Sequence, residues 1–359
     1  MAADIIFNTS KLTAAIEAIV QKGGSNAREA RMVAENLVEA NLKGHDSHGV
    51  GMIPRYIQSL MEGGLAVNQA PKIVLDTGPL VRLDGQAGYG QVIGHDTMKI
   101  AIERAKKHGL CAAGLHHSHH IGRIGAWAEM AVAEGLVSMH FVNVVSRPIV
   151  AAWGGGDGRF GTNPICIGVP RKGRDPIVLD FATSRIAQGK TRVAHNKGVA
   201  LAPGMIIDNE GRATTDPRYT VVPPFGAILT FGEHKGYGLA MIAELLGGAL
   251  TGGATMRKAY DGKLQGVYNG MLTIVLDPEK LGTSEHFQSE IDAFTSWVQS
   301  GPVADGFDKV RLAGDPERET KAKRLKDGIP VDTTTWGDIL ASGEKVGLAQ
   351  AEVSRIAGV

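Results

Sequence analysis

"LCAAGLHHSHHIGRIGAWAEMAVAEGLVSMHFVNV", Leu110 to Val144, decides how the chain is read. It opens on the apolar run "LCAAGL", passes through His116, His117, His119 and His120, and then turns helical. It closes on "LVSMHFVNV", rich in branched and aromatic residues. A short apolar run bounded by turn residues predicts a buried strand. "IGAWAEMAVAEG" predicts a helix that stops at Gly135. Strand, polar loop, helix and strand in succession predict an α/β sheet.

The same texture extends outward. "KIVLDTGPLVRLDG" predicts two short strands about a Gly-Pro turn, and a helix follows over about 91–108 with His108-Gly109 as its stop. Further strands are expected at "ICIGVP", "PIVLDFA" and "MLTIVLD". Before this block the chain is helical: Leu12, Ile16, Ile19 and Val20 form one stripe, and Ser25 is placed to cap a second helix carrying Val33, Leu37 and Val38. Met52, Ile53, Tyr56, Ile57 and Leu60 recur at helical spacing. After about residue 285 helices return. The organisation expected is a helical unit 1–75, a central α/β unit 76–284, and C-terminal helices 285–359 that pack back.

Bulk properties narrow the class. The chain has 359 residues, 43% of them hydrophobic, and a net charge of +1. A core is affordable, and no basic excess marks a nucleic-acid partner. Cys111 and Cys166 lie in apolar runs and read as buried thiols, which suits a reducing compartment. The start has no signal-peptide pattern, and the most apolar stretch, "YGLAMIAELLGGALTGG", contains Glu244 and is too short to span a bilayer. A cytoplasmic protein without membrane partners is expected.

Several motifs fail on context. "GDGRFG", Gly156–Gly161, matches G-x-G-x-x-G, but Thr162-Asn163-Pro164 and a β-like run follow where a dinucleotide fingerprint needs a helix. "SRIAQGKT" lacks the first glycine of a phosphate loop. His116 and His120 are four apart, yet the sequence reads as a loop with no Cys, Asp or Glu to complete a metal shell, so no metal site is assigned. "GHDSHG", Gly44–Gly49, gathers two imidazoles, a carboxylate and a hydroxyl between glycines. It fits general acid/base chemistry near neutral pH, or Asp46 or Ser47 capping the next helix.

Taken in order, "NLKGHDSHGVGMIPRY", "HSHHIG", "RFGTNP", "LDFATS", "GEHKGYGLA" and "LAGDPERE" resemble the type-2 malate/L-lactate dehydrogenase family, non-Rossmann NAD(P)-dependent 2-oxoacid reductases. The likeness spans nearly the whole chain. "SHGVGMIP" and "HSHHIGRIG" bring it nearest the hydroxycarboxylate dehydrogenase B branch. The resemblance implies a mixed β-sheet of the L-sulfolactate dehydrogenase type, NAD or NADP as cofactor, a homodimer, and hydride transfer at C2 of a small 2-oxo/2-hydroxy acid. By the same resemblance His48 is the proton donor, Ser47 its polar neighbour and His120 the second active-site histidine. Ser118 and His117 line the site, and Thr162 contacts substrate. Asp180, Ala182, Thr183, His234, Lys235, Arg311, Gly314 and Asp315 contact the cofactor.

Two positions depart from parts of the family. Met52 stands where many members carry an arginine that grips the substrate carboxylate. Methionine offers only apolar contact, so Arg123 is expected to take over, with Arg55 as second choice. Lys190 stands where cyclic-imine reductases carry an aspartate, which disfavours imine reduction. The competing functions are such an imine reductase, a zinc-dependent hydrolase built on the histidine run, and a non-catalytic nucleotide binder.

Overall fold

The computed structural model describes residues 4–257 and 265–359. The expected hairpin forms: Lys72–Asp76 pairs antiparallel with Leu80–Asp84, and Thr77-Gly78-Pro79 turns the chain. The helix Gly90–His108 follows and ends on Gly109 in the left-handed region, where glycine has no Cβ penalty. It returns the chain to Leu110–His119, parallel to Leu80–Asp84.

These strands begin a seven-stranded mixed sheet. Its spatial order is Lys72–Asp76, Leu80–Asp84, Leu110–His119, Tyr268–Leu276, Val137–Val145, Ile165–Val169 and Ile177–Phe181. Every neighbouring pair but one is antiparallel. The last strand in sequence lies at the centre. It separates the two strands that flank the helix Gly125–Ala133. Cys111, Ala113 and Leu115 alternate into a core completed by Met98, Trp127, Val142 and Met271. Both cysteines are buried and free.

The N-terminal helices Thr9–Lys22, Ala27–Leu42 and Ile53–Met61 share a second core with the C-terminal helices Thr333–Lys345 and Gln350–Ala357. A two-stranded ribbon, Asp4–Phe7 with Ile329–Asp332, closes that core. The second helix is capped one residue later than expected. Asn26 accepts the Glu29 N–H, while the Ser25 hydroxyl bonds the Glu29 carboxylate at 2.7 Å. A small sheet of two- and three-residue strands holds Gly158–Phe160 of "GDGRFG", so that motif opens no helix. Among the described residues no helix is long and apolar enough to cross a membrane.

His140, on the central face, is fully buried and bonds Thr273 Oγ1 and Ser138 Oγ, each at 3.0 Å. Burial lowers its pKa from 6.5 to about 3. The unfolded chain therefore takes a proton that the folded chain refuses, and this contribution to stability is whole above pH 6.5 and lost as pH falls toward 3. The urea midpoint should decline from pH 6.5 downward, and His140→Gln should flatten part of that decline. An unchanged slope in the variant would refute the assignment.

Candidate active site

Two 3-10 turns, Asp46–His48 and Val50–Met52, join the helices Ala27–Leu42 and Ile53–Met61. Asn41 pins both: its Nδ2 donates to Asp46 Oδ1 at 2.7 Å, and its Oδ1 accepts the Val50 N–H at 2.8 Å. Gly49 is required, because a Cβ there would stand 2.1 Å from Asn41 Oδ1. Arg324, on the helix Asp315–Asp327, grips Asp46 with both terminal nitrogens, at 2.6 and 3.0 Å. Asp46 is thus a structural anchor. Ser47 Oγ lies 3.0 Å from His48 Nδ1, and Gly189 packs against Ser47.

The second histidine arrives from the sheet. His116 to His119 belong to the strand, not to the loop expected from sequence. The strand carries a bulge: Leu115 pairs with Met271 and Ser118 with Asn269, so His116 and His117 together face Gly270. His117 takes φ +52°, a left-handed conformation tolerated at such a bulge. Beyond it the Ile121 N–H donates to Asn269 Oδ1 at 2.9 Å, which fixes where the chain leaves the sheet.

His120 is thereby brought against His48, with ring centroids 5.6 Å apart and planes 20° from parallel. Its Nδ1 is 2.7 Å from Tyr56 Oη, which accepts from Gln91 Nε2 at 2.7 Å. Burial lowers the His48 pKa to about 4, helped by His45 and Arg123, and drives that of His120 well below its usual value. Both rings are neutral at pH 7. The other histidines separate from this pair. His119 is fully buried, edge-on to Tyr56 and Tyr268, with its pKa lowered to about 3 by burial and by Arg55. His117 is exposed, its Nδ1 3.4 Å from Asp84.

Beside His48 lies a cluster of opposed charges. Arg123 is 3% exposed; one terminal nitrogen is 2.6 Å from Glu129 and the other 3.8 Å from Asp180. Asp180 accepts the Gly125 N–H at 2.7 Å, and burial pushes its pKa up. Gly125 permits this approach, since a Cβ would collide with Arg123. A cleft of about 270 Å³ opens here, lined by Lys43, Arg123, Asp180, Gly314 and Glu317 among others. His45 Nε2 lies 3.2 Å from Glu317. The segment 311–315 reaches the cleft because the Val178 N–H donates to the Ala313 carbonyl.

A second group of expected residues gathers at the far end of the strand Ile177–Phe181. Thr183 Oγ1 donates to the Thr162 carbonyl at 2.9 Å, and the Thr183 carbonyl accepts the Phe231 N–H. Half-buried Ala182 is its chain neighbour. Phe231 leads into Gly232 and Glu233, both at positive φ, and then into the helix His234–Ala243. His234 and Lys235 occupy the first turn of that helix, and the His234 ring lies 5.5 Å from Trp153.

Other expected residues are otherwise engaged. Ser118 is fully buried, and its hydroxyl donates to the His119 carbonyl. Arg311 is tied to Asp308 and Glu319. Asp315 accepts the Leu312 N–H and pairs with Arg318 at 2.6 Å. Lys190 is exposed, and it is not among the groups that lower the His48 pKa. Half-buried Met52 packs on the helical core. Half-buried Arg55 forms no ion pair or hydrogen bond among the described residues and acts electrostatically on His119 and Tyr268. Sequence reasoning missed Asn41, Tyr56, Gln91 and Arg324; Tyr56 satisfied a helical stripe, and its hydroxyl contact left no periodic trace.

The malate/L-lactate dehydrogenase family profile matches residues 7–340. The chain belongs to this family. Hydroxycarboxylate dehydrogenase B of Escherichia coli (strain K12) is 46% identical over 346 residues, which are 96% of this chain and 95% of that protein. L-lactate dehydrogenase of Cupriavidus necator is 39% identical over 88% of this chain and 91% of its own length. The solved structure of sulfolactate dehydrogenase from Methanocaldococcus jannaschii superposes with a TM-score of 0.85 at 30% identity, over 97% of this chain and 99% of that one. As a family member the protein is a 2-hydroxyacid dehydrogenase, an oxidoreductase that uses a nicotinamide cofactor.

The residues present fit such a cofactor. Lys235 and His234 stand at a helix N-terminus, whose N–H groups and positive end suit phosphate. Gly314, at φ +94°, places backbone rather than a side chain at the cleft. In the turn that carries His48, Asn41→Ala leaves the Val50 N–H without its acceptor. The expected cost is about 1–3 kcal/mol, measured as a lower urea midpoint, together with a fall in kcat as His48 loses its position.

Proposed function

We propose that the protein transfers a hydride between NAD(P)H and C2 of a small 2-oxo/2-hydroxy carboxylic acid, with His48 and His120 flanking the reacting oxygen. The observation that carries this reading is the pair of stacked, neutral imidazoles 5.6 Å apart, His120 buried and His48 half-buried. The nicotinamide, when bound, supplies the hydride chemistry. His234 and Lys235 hold its phosphate side, and Asp180, Ala182, Thr183, Gly314 and Asp315 border it.

In oxidation His48 takes the hydroxyl proton. Ser47 Oγ, 3.0 Å from His48 Nδ1, is placed to accept an Nδ1–H, which would leave the Nε2 lone pair free for that work. In reduction the protonated His48 returns the proton to the developing alkoxide. An incoming carboxylate, a negative charge beside the pair, moves His48 back toward its charged form.

We place the substrate carboxylate on Arg55. Arg123 is the weaker candidate because Glu129 and Asp180 already answer its charge. Arg55→Met should raise KM for 2-oxoacids about tenfold or more with a smaller change in kcat. The same effect from Arg123→Met, with Arg55→Met silent, would reverse the assignment. We also infer a homodimer; the exposed pair Phe294 and Trp297 is an apolar surface of the kind that subunit contacts cover.

The reaction is tested by following NADH and NADPH oxidation with pyruvate, oxaloacetate, 2-oxoglutarate, phenylpyruvate, hydroxypyruvate and a cyclic imino acid. Turnover of an oxoacid, lost in His48→Ala with nicotinamide affinity retained, is the expected outcome. Turnover of the imine alone would overturn it. With a His48 pKa of about 4, kcat/KM for oxidation should stay level through neutral pH and fall as pH approaches 4. For reduction it should rise as pH falls, because there the protonated form must enter the reaction.

A further inference from the structure

Tyr56 is fully buried and holds two partners, each at 2.7 Å: the Gln91 side-chain amide and His120 Nδ1. Burial pushes the phenol pKa well up, so the hydroxyl keeps its single proton. That proton has two possible destinations. If Gln91 presents its NH2, the hydroxyl must donate to His120 Nδ1, and the neutral ring then carries its proton on Nε2. If Gln91 presents its carbonyl, the chain runs the other way and the proton sits on Nδ1.

The surroundings of Gln91 select the first arrangement. Asn36 Oδ1 is a buried acceptor without a partner among the described residues. It and Gln91 Nε2 both lie within 4 Å of the point where a Cβ on Gly122 would stand, at 2.7 and 3.6 Å. An amide NH2 matches that side electrostatically, and a carbonyl would oppose it. The first arrangement leaves Gln91 Oε1 unpartnered, and the second would leave its two N–H donors so. Buried unpaired carbonyls are tolerated more often than buried unpaired N–H groups.

We propose that Gln91, acting through Tyr56, holds His120 as the neutral ring protonated on Nε2, so that His120 only donates a hydrogen bond to the oxygen on C2 and His48 alone exchanges the proton. Gln91 and Tyr56 are positioning residues. The proposal rests on the placement of the reacting oxygen between the two histidines. In oxidation the O–H bond of the hydroxy acid breaks, its proton forms a bond to His48 Nε2, and the C2 hydride leaves for the oxidised nicotinamide of the dehydrogenase reaction. His120 begins and ends the cycle with the same proton. For His48 to take that proton on Nε2, its own hydrogen must sit on Nδ1, where Ser47 Oγ at 3.0 Å can accept it, so the proposal gives His48 the opposite tautomer. One ring thus presents a lone pair to the site and the other an N–H.

The test is the imidazole 15N spectrum of the full-length protein labelled in histidine, with His48 and His120 assigned by His48→Asn and His120→Asn. The expected result at neutral pH is an Nε2–H pattern for His120 and an Nδ1–H pattern for His48. Gln91→Glu offers Tyr56 a carboxylate instead of a donor. It should reverse the phenol and move the His120 proton to Nδ1, with kcat lowered about a hundredfold and KM changed little, since one donor to the reacting oxygen is lost. Gln91→Leu removes the donor that orients the phenol without offering an acceptor, so it should loosen the Nε2–H preference toward a mixture of tautomers and lower kcat less than Gln91→Glu does. A role in packing alone predicts the reverse ranking, because Glu is the closer match in size and shape. An Nδ1–H or doubly protonated His120 in the wild type, or a Gln91→Glu variant with an unmoved proton, overturns the proposal. The spectrum needs no substrate. An Nε2–H His120 in a protein that turns over no oxoacid would therefore sink the reaction assignment and leave the relay standing. The opposite pattern in an active enzyme would sink the relay alone.

Discussion

The pairing of Tyr268–Leu276 with two strands at once is the constraint on which the rest depends. The strands Leu110–His119 and Val137–Val145 are close in sequence, but both bond to this later segment and not to each other. Gly270 makes the insertion possible at its tightest point, since a Cβ there would stand 2.1 Å from the Gly247 carbonyl. The Gly270 N–H is taken by Asn143 Oδ1, and the neighbouring Asn269 bonds both Ile121 and Asn143. The bulge opposite Gly270 follows, and with it the direction in which His120 leaves the sheet.

Burial then does most of the electrostatic work. His48, His119, His120 and His140 are all held below their usual pKa, and desolvation is the leading cause for each. The fold tolerates neutral imidazoles in its interior more readily than charged ones, at the cost of acid stability. Charge is instead concentrated where it is matched: Arg123 with Glu129 and Asp180, and Arg324 with Asp46. The second pair couples the helix Asp315–Asp327 to the turn that carries His48, so segments far apart in the chain jointly fix that turn.

Much of this was legible from residues alone. The hairpin, the helix ending at Gly109 and the strands from Leu110 onward follow from period, turn residues and apolar runs, which act over a few residues. Ordered motifs carried the family. The small sheet was not legible, because strands of two or three residues are too short to show a period. The strand character of His116 to His119 was hidden by its polarity. Those side chains are accommodated by a bulge and by aromatic neighbours from distant segments.

The sequence by itself determined the mixed α/β class, the family, and the two histidine motifs, since each is written in local pattern or ordered residue identity. Tertiary structure decided which histidine of the run meets His48. It also decided that Arg123 is neutralised while Arg55 has no carboxylate partner among the described residues, and that Tyr56 and Gln91 stand behind His120. Those outcomes depend on distances between residues that are far apart in the chain. Hydrogen bonds and desolvation act through space, and neither leaves a mark on the spacing of residues along the sequence.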